Sequence, residues 1–234
     1  MKQGKRIFTS AFVACLAAAL LACSGGATWN ASWPSYSVPP AKTDAVALLG
    51  PGDVFTLMRA KWYSNKFGIP EDSTYAYFGR LADSVFKQTL VHSYTNLAYL
   101  DEALRKTFPE ETQKLDDRIF IKGHFPEQGE TVGGEAPPKY LILIHELTLG
   151  ADLDRKTFFD YSLTQNEAPE KKAVENITII MTFTLWDNLR QRPLYSSVVE
   201  VSEPAGKQPT LDQVSGMLRK AAATIPYEIS KGAH

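Results

Sequence analysis

The stretch that decides the fold is Asn176-Ile177-Thr178-Ile179-Ile180-Met181-Thr182-Phe183-Thr184-Leu185-Trp186. Its alternate side chains form two sets of different character. One set is wholly apolar, and the other holds three threonines with Ile180 and Trp186. Because successive side chains of a strand point to opposite faces, this pattern predicts an antiparallel strand with one face on a core and the other half exposed.

Other strand patterns surround this stretch. Residues 140–149 and 194–201 are the strongest, and residues 187–193 have the length of a hairpin turn. The apolar run at residues 45–49 closes on Gly50-Pro51-Gly52, which predicts a buried central strand. Weaker patterns predict short strands at residues 96–100 and 118–121, and residues 123–138 are rich in glycine and proline, as in a loop.

Two segments have helical periodicity. The first is capped by Asp72 or Ser73, and its predicted buried face is Tyr75, Phe78, Leu81, Ala82, Val85 and Phe86. The second begins at Leu211, with a face of Val214, Leu218, Ala221, Ala222 and Ile225. A third, brief helix is predicted at residues 101–108. The whole order predicts an α/β or α+β fold, in which a mixed sheet with antiparallel hairpins carries two main helices in a single domain at residues 44–230.

The amino terminus has the order of an export signal. Lys2, Lys5 and Arg6 precede an uncharged run of about 16 residues that ends at Ala22, which is shorter than the roughly 20 residues of a membrane-spanning helix. The run ends in Leu20-Leu21-Ala22-Cys23, which resembles the lipobox of bacterial lipoproteins. The resemblance implies that residues 1–22 are a signal peptide and that Cys23 becomes the lipid-bearing first residue, with a palmitate-type acyl group.

Two alternatives to this processing stand beside it. Cys15 is a competing lipidation site, but it lies inside the apolar run with Phe12 three places before it, which departs from the lipobox. An ordinary secreted protein cut after Ala22 would keep one free thiol in an oxidising compartment. With only two cysteines in the chain, neither reading leaves a disulfide for the domain.

Residues 23–43 are predicted to be a lipidated tether, because they hold Ser, Gly, Ala and Pro with almost no charge. Trp29, Trp33 and Tyr36 are apolar for a free linker, so part of the tether is expected on the domain or at the membrane interface. Removal of residues 1–22 takes away three basic residues and no acidic one, so the formal net charge falls from −1 to −4. A net negative chain of this kind gives no electrostatic case for binding nucleic acid.

The predicted domain loosely resembles a group of envelope domains: the TolB amino-terminal domain, the curli secretion lipoprotein and the lipoprotein activators of penicillin-binding proteins. The resemblance covers about residues 44–226 and lies in order and local character: Val46-Ala47-Leu48-Leu49, a helix, Lys139-Tyr140-Leu141-Ile142-Leu143-Ile144, then Phe183-Thr184-Leu185-Trp186-Asp187 with Leu194-Tyr195-Ser196, and a final helix. The sequence departs from the group at Gly150-Ala151-Asp152. Fold alone does not give function.

Motifs for catalysis and cofactors are weak throughout the sequence. Phe55 stands where a dinucleotide fingerprint beginning at Gly50 needs its third glycine, so a plain turn is favoured. His145 and Glu146 are adjacent on a strand and are expected to point to opposite faces. Asp152 and Asp154 could share a cation, although a solvated turn is favoured. His92, His124 and His234 lack ligand spacing. We therefore expect no enzyme activity, no cofactor and no metal.

One segment has the residue types of a contact surface: Arg59, Lys61, Trp62, Tyr63, Lys66 and Phe67. Packing of its aromatic residues over the end of the sheet is the alternative. The leading hypothesis is a non-enzymatic accessory or assembly subunit, held by Cys23 in the bacterial cell envelope and bound to another envelope protein; a carrier of lipid, glycan or peptidoglycan fragments is the alternative. Ser24 favours the outer membrane, facing the periplasm, over the inner one. The sequence does not indicate the oligomeric state.

Overall fold

The computed structural model describes residues 28–34, 36–114, 120–127, 129–152, 174–206 and 208–233. Cys15, Cys23, Arg118, Asp154 and His234 lie outside these residues, as does the whole segment 1–22. The described elements, in chain order, are β1 (Thr28–Ser32), β2 (Ala45–Leu49), β3 (Phe55–Leu57), α1 (Ala60–Phe67), α2 (Glu71–Leu90), β4 (Asn96–Tyr99), β5 (Glu110–Lys114), β6 (Phe120–His124), β7 (Tyr140–Ala151), β8 (Asn176–Asp187), β9 (Arg192–Pro204) and α3 (Leu211–Gly232). Short 3-10 helices lie at Gly52–Val54 and Glu102–Thr107.

The main sheet is mixed, as the sequence predicted. Its strands run in the order β1-β9-β8-β7-β2-β4. β3 pairs with the carboxyl-terminal part of β7, at Leu147–Leu149. β7, β8 and β9 form an antiparallel meander, whereas β2 is parallel to both β7 and β4. The continuous apolar run of β2 follows from this place between two parallel strands, where both faces are buried. β5 and β6 form a separate antiparallel pair.

Strand β1 corrects the prediction that residues 23–43 are a tether. Thr28–Ser32 pairs antiparallel with β9, with Thr28 opposite Val199 and Ser32 opposite Tyr195. Tyr36 is buried, and its hydroxyl donates to the carbonyl of Ile229 at 2.7 Å. The domain therefore includes β1 and Tyr36, and the apolar residues at positions 33 and 36 lie on it.

The two main helices pack side by side on one face of the sheet, which confirms that prediction. α2 contributes Phe78, Ala82, Phe86 and Leu90, and α3 contributes Val214, Leu218, Ala221, Ala222 and Ile225. They bury the sheet residues Ile142, Ile144, Ile179, Met181 and Phe183. Full burial of one large apolar side chain is worth about 1.5–3 kcal/mol, so this layer is the main source of stability.

The second face of the sheet is covered as well, which corrects the half-exposed strand predicted for residues 176–186. Every residue of β8 except Asn176 is buried. The covering residues are Phe108, Ile121, Phe125 and Val132, which pack on Leu141, Leu143, Ile180, Trp186 and Val198. Threonines at alternate positions suggested solvent on this face, but these four residues from earlier segments of the chain cover much of it.

Some local predictions differ from the structure. Helix α2 begins at Glu71 after Pro70, without a side-chain cap, so neither Asp72 nor Ser73 caps it. Tyr75 is exposed rather than part of the buried face. β5 was not predicted, because Glu-Glu-Thr-Gln-Lys has no apolar alternation. The brief helix is the 3-10 helix Glu102–Thr107, whose first turn is capped by the Asp101 side chain on the backbone N–H of Ala103.

Candidate functional site

The predicted contact segment forms helix α1 with its entry residue. Arg59 stands before the helix in the left-handed region at φ 61°, which is uncommon for a residue other than glycine. Its guanidinium Nη1 lies 3.0 Å from Oδ2 of Asp152 at the end of β7. Gly68, also left-handed, ends the helix. These two turns fix α1 at the end of the sheet where β7 finishes.

The aromatic residues of α1 belong partly to the core. Tyr63 is fully buried, and its ring stacks on Phe67 at 6.0 Å and meets Phe78 edge-on at 5.2 Å. Trp62 lies edge-on to Tyr63 and is half-buried, as is Phe67. Burial raises the pKa of Tyr63 well above its ordinary value. Tyr63 therefore supports this surface from beneath and offers nothing to a partner.

The outward part of α1 is cationic. Lys61 and Lys66 are exposed, whereas Arg59 is held by its ion pair. Four residues of α1 keep exposed area: Lys61 and Lys66 are exposed, and Trp62 and Phe67 are half-buried against the core. We call these four residues the α1 surface. Arg59 orients the start of this surface, and Tyr63 fills the space below it.

Asp152 has a structural role as a hydrogen-bond acceptor. Its Oδ1 accepts from the backbone N–H groups of Glu175 and Asn176, at 2.6 and 3.1 Å, and its Oδ2 accepts from Arg59. These bonds join the start of β8 and the start of α1 to the end of β7. Both carboxylate oxygens already have protein donors, which favours the structural role over a cation site.

A β-bulge corrects the expectation that His145 and Glu146 point to opposite faces. The register of β7 with β8 shifts between Ile144 and Glu146. Ile144 and Leu147 both join the helix-side core, so two residues rather than one lie between them. A bulge of this kind sets two consecutive side chains on one side of a strand. His145 and Glu146 therefore share the face away from the helices.

His145 on that face is part of a buried polar ladder. Its Nε2 lies 2.9 Å from Oγ1 of Thr184, which is 2.7 Å from Oγ of Ser196. Burial lowers the pKa of His145 to about 3, and Arg105 and His124 act in the same direction. Burial also raises the pKa of Glu146. A neutral, hydrogen-bonded imidazole fixes the three strands rather than exchanging protons near neutral pH.

One cavity lies at the carboxyl end of β2. It has a volume of about 320 Å³ and is lined by Gly50, Asp83, Lys87, Leu100 and Glu102, among others. Glu102 accepts from the backbone N–H of Gly52 at 3.0 Å, and Lys87 lies 2.7 Å from Asp83. Burial and the nearby Asp53 and Asp83 raise the pKa of Glu102. Glu102 is thus held by the backbone and one oxygen of Asp83 by Lys87, while Oδ1 of Asp83 is buried without a hydrogen-bond partner among the described residues.

A larger cavity, of about 500 Å³, lies at the amino-terminal end of β9. Its lining comes from four separate segments: Trp33 after β1, the β5 residues Glu111, Gln113 and Lys114, Pro126 after β6, and Trp186, Arg192 and Pro193 around the β8–β9 turn. We call it the Trp33–Trp186 cavity. Sequence reasoning missed it, and the apolar character of Trp33 within a polar segment was the one signal that pointed there.

Two features are absent from the described ranges, a metal-ligand cluster and a helix that could span a membrane. There, no group of three or more His, Cys, Asp or Glu side chains could hold a metal ion. Nor is any helix in this part of the chain long and apolar enough to cross a membrane.

Comparison with known proteins yields only weak likenesses to solved structures. No family model and no curated protein matches the chain. The PelC dodecamer from Paraburkholderia phytofirmans matches over 88% of this chain and 98% of its own, at 12% identity and a TM-score of 0.39. A point variant of that dodecamer matches over the same spans, at 12% identity and a TM-score of 0.37. At these values the likeness carries no argument about what this chain does.

Proposed function

We propose that this chain is a lipid-anchored, non-enzymatic accessory subunit of the bacterial cell envelope that acts through protein–protein contacts. One observation carries the proposal further than the lipobox alone. The first strand begins at Thr28, only five residues after Cys23. Five residues span at most about 18 Å when fully extended. A lipid on Cys23 therefore holds the folded domain directly at the membrane surface.

The direction of β1 supports one orientation of the domain. Thr28 lies opposite Val199 and Ser32 opposite Tyr195, so the amino-terminal end of β1 is the end nearer to Pro204 of β9. Asn176 pairs with Pro204 at this end, and Asp152 lies beside Asn176. Arg59, ion-paired to Asp152, puts the start of α1 there too. The α1 surface is thus on the end of the domain that the anchor draws toward the bilayer.

The chemistry of the α1 surface suits a protein partner near the membrane. Its half-buried Trp62 and Phe67 offer apolar area, and the exposed Lys61 and Lys66 flank it. Tryptophan is enriched among the residues that carry binding energy at protein–protein interfaces. The partner in this proposal is another envelope protein, in the outer membrane facing the periplasm, as Ser24 favours.

The non-enzymatic reading draws support from two of the three described histidines, His145 and His124, whereas the third, His92, is exposed just after α2. His145 is buried and bonded to Thr184, and Nδ1 of His124 lies 2.9 Å from the carbonyl oxygen of Phe108. Both hydrogen bonds stabilise the strands on which these histidines lie. A general acid or base would need a titrating group open to substrate.

The anchor has a direct test. Cys23→Ser should abolish labelling by a palmitate analogue in growing cells and release the protein from membranes. Cys15→Ser, the matched control, should leave labelling intact. Persistent labelling of Cys23→Ser would contradict lipidation at Cys23. Loss of labelling in Cys15→Ser alone would assign the lipid to Cys15.

The partner surface has a separate test. A photo-crosslinking amino acid at Lys61 should give a discrete crosslinked protein in native membranes. The same group at Tyr227, an exposed aromatic residue on α3, is the control. Adding Trp62→Ala and Lys66→Glu to the Lys61 probe should remove the product, without the loss of core expected from changing Tyr63. Equal products at Lys61 and Tyr227 would contradict the proposal.

The second candidate function is a ligand-binding lipoprotein. The observation that favours it is the Trp33–Trp186 cavity, whose volume of about 500 Å³ lies within the range of small-ligand sites. Of the three ligand classes open from sequence, an acyl lipid fits least, because charged and amide side chains stand among the lining residues.

A further inference from the structure

Strand β4 is an edge strand whose outer side is open. In the described part of the chain only β2 pairs with it. The N–H of Leu100, just after the strand, donates to the carbonyl of Leu48 in β2 at 2.9 Å. Because backbone groups alternate in direction along a strand, Ala98 also directs its groups to β2, whereas Leu97 and Tyr99 direct theirs outward. Four N–H and C=O groups thus point away from the sheet, and no hydrogen bond from the described residues reaches them.

This edge lacks most of the features that prevent pairing with another chain. Natural edge strands are guarded by charged side chains, proline, a β-bulge or short length. The stretch Asn96-Leu97-Ala98-Tyr99-Leu100 holds no charge and no proline, and its register with β2 is regular. Short length is the one guard that remains, and it limits any pairing to a few residues. The edge therefore suits a short and specific strand partner.

Apolar side chains lie exposed beside the open edge. Tyr99 is 43% exposed, although its hydroxyl donates to the carbonyl of Lys87 on α2 at 3.0 Å. Val91, whose N–H donates to the same carbonyl at 3.4 Å, is 44% exposed. Leu97 is half-buried and lies on the same face of β4 as Tyr99. A partner strand along this edge would bury more of their apolar surface.

A second copy of β4 matches this edge in one antiparallel register. When Leu97 pairs with Tyr99 of the second copy, and Tyr99 with Leu97 of the second copy, each pair exchanges two N–H···O=C bonds. All four outward groups of each copy are then satisfied. Ala98 lies opposite itself in a close pair without hydrogen bonds, where the Cα atoms are about 4.5 Å apart and a small side chain fits. The register is self-complementary, as an isologous dimer requires.

The side chains agree with this register. On the α2 face it sets Tyr99 opposite Leu97 of the second copy, an aromatic–aliphatic cross-strand pair. Beyond the paired strands, Thr95 comes opposite Asp101, which is the one charged residue from position 95 to position 101. No two like charges therefore stand opposite each other, although such pairs destabilise a sheet. This complementarity favours a second copy over an unrelated strand.

We infer that two copies of this chain pair antiparallel through β4 and join their main sheets into one continuous sheet. The two-fold axis passes between the two Ala98 residues, perpendicular to the sheet. The inference goes beyond the proposed function and needs neither the lipid on Cys23 nor the α1 surface. A negative result here would leave the labelling and crosslinking tests of that function unaffected.

The twist of the sheet makes this dimer compatible with two anchors in one bilayer. β1 lies five strands from β4, and a twist of about 20–25° per strand turns it by roughly 100–125° from the direction of β4. β1 therefore runs mostly along the two-fold axis. Because rotation about an axis leaves the direction along that axis unchanged, both β1 strands begin on the same side of the dimer.

Disulfide trapping tests the register. Ala98→Cys in the full, lipidated chain should give a covalent dimer on mild oxidation in membranes, because Cα atoms about 4.5 Å apart suit a disulfide. Mass spectrometry should find the peptide that links position 98 to position 98. Asn96→Cys is the matched control on the same face of β4. Its two copies would lie about 14 Å apart, four residues along the strands, and should not be linked. No link at position 98, or an equal link at position 96, overturns the inference.

A charge swap tests the pairing without a covalent bond. Ala98 is exposed in the single chain, so Ala98→Glu and Ala98→Lys should both fold, as checked by circular dichroism. Each variant sets two like charges opposite each other and should raise the dissociation constant of the dimer at least about tenfold. A mixture of the two variants should restore the dimer. Thr112→Glu, at an exposed position of β5, is the control and should dimerise as the parent chain does.

Sedimentation of the full chain in detergent micelles measures these masses. At about 0.1 mM protein it detects dimers with dissociation constants up to about that value. A monomeric parent chain at this concentration overturns the inference. So does a dimer of Ala98→Glu as stable as that of the parent chain, or a mixture of the two charged variants that stays monomeric.

Discussion

Arg105 donates from Nε to both carboxylate oxygens of Asp53, at 3.0 and 3.1 Å. Its two terminal nitrogens donate to the backbone carbonyls of Ile144 and Gly50. The arginine side chain is 4% exposed and the aspartate 27%. One guanidinium therefore joins the turn after β2, the 3-10 helix after β4 and the middle of β7.

We expect Arg105→Ala to lower the free energy of unfolding by roughly 3 kcal/mol or more, because it leaves two buried carbonyls and a carboxylate without their donor. Asp53→Ala should cost less, since the arginine keeps its two carbonyl partners. Lys122→Ala, which breaks the exposed ion pair with Glu110, is the control and should cost under about 1 kcal/mol. Urea denaturation measures all three, and equal losses at Arg105 and Lys122 would contradict this role.

Stability should depend on pH through His145. The pKa of this imidazole is about 3 in the folded protein and about 6.5 in an unfolded chain. Between those values the unfolded state binds more protons, so the free energy of unfolding falls as the pH drops from 6.5 toward 3, by at most about 1.4 kcal/mol per pH unit. Glu146 acts oppositely: burial raises its pKa, so its contribution is present at low pH and is lost as the pH rises.

His145→Leu separates these two effects. It removes the imidazole while Thr184 keeps Ser196 as a partner. Urea denaturation at a series of pH values from 4 to 7.5 should show a flatter dependence for the variant than for the parent chain. Parallel curves would mean that His145 does not titrate between the two states in this range.

Two glycines should respond oppositely to alanine. A Cβ on Gly123 in β6 would meet Nδ1 of His145 at 2.2 Å, whereas a Cβ on Gly216 in α3 would meet nothing within 4 Å. Overpacking should make Gly123→Ala destabilising by about 1–3 kcal/mol. Helix propensity should make Gly216→Ala stabilising by roughly 0.5–1 kcal/mol. Thermal unfolding measures both, and a neutral Gly123→Ala would show that β6 does not lie so close to His145.

Truncation should locate the true start of the domain. A chain that lacks residues 1–27 keeps β1 and Tyr36, and we expect it to fold. A chain that lacks residues 1–43 loses the pairing of β1 with β9 and the buried Tyr36 ring, at a cost of about 3 kcal/mol or more. Urea denaturation compares the two, and equal stability would restore residues 23–43 to the role of a tether.

The elements with strong periodicity could be predicted from sequence, and those without it could not. β8 and α3 have clear alternation or helical spacing, and their residues fixed the fold class. β1 reads Thr-Trp-Asn-Ala-Ser, and only its pairing with β9 makes it a strand. Helix α1 lacks a capping residue and starts from the left-handed Arg59, so no local pattern marks it. Tertiary contacts decided both.

Sites assembled from distant segments were the least predictable. The α1 surface could be proposed because its residues are neighbours in sequence, but the burial of Tyr63 depends on Phe78 of another helix. The bulge that turns His145 and Glu146 to one face depends on the register with β8. Trp33, Gln113 and Trp186 share a cavity only through the folded sheet. The spacing of residues along the sequence does not predict contacts between segments that are distant in the chain.

The position of β1 would give the proposed membrane anchor a mechanical role. A lipid on Cys23 that resists extraction would pull along β1, whose hydrogen bonds to β9 run across the direction of the strand. Tension along the strand loads these bonds together, in shear, instead of opening them one at a time. Side chains reinforce the joint from the other layer, since Ser32 donates to the carbonyl of Gly232 and Asn30 to the carboxylate of Glu228. With the proposed lipid on Cys23, the domain would thus transmit force from the bilayer into its sheet through β1.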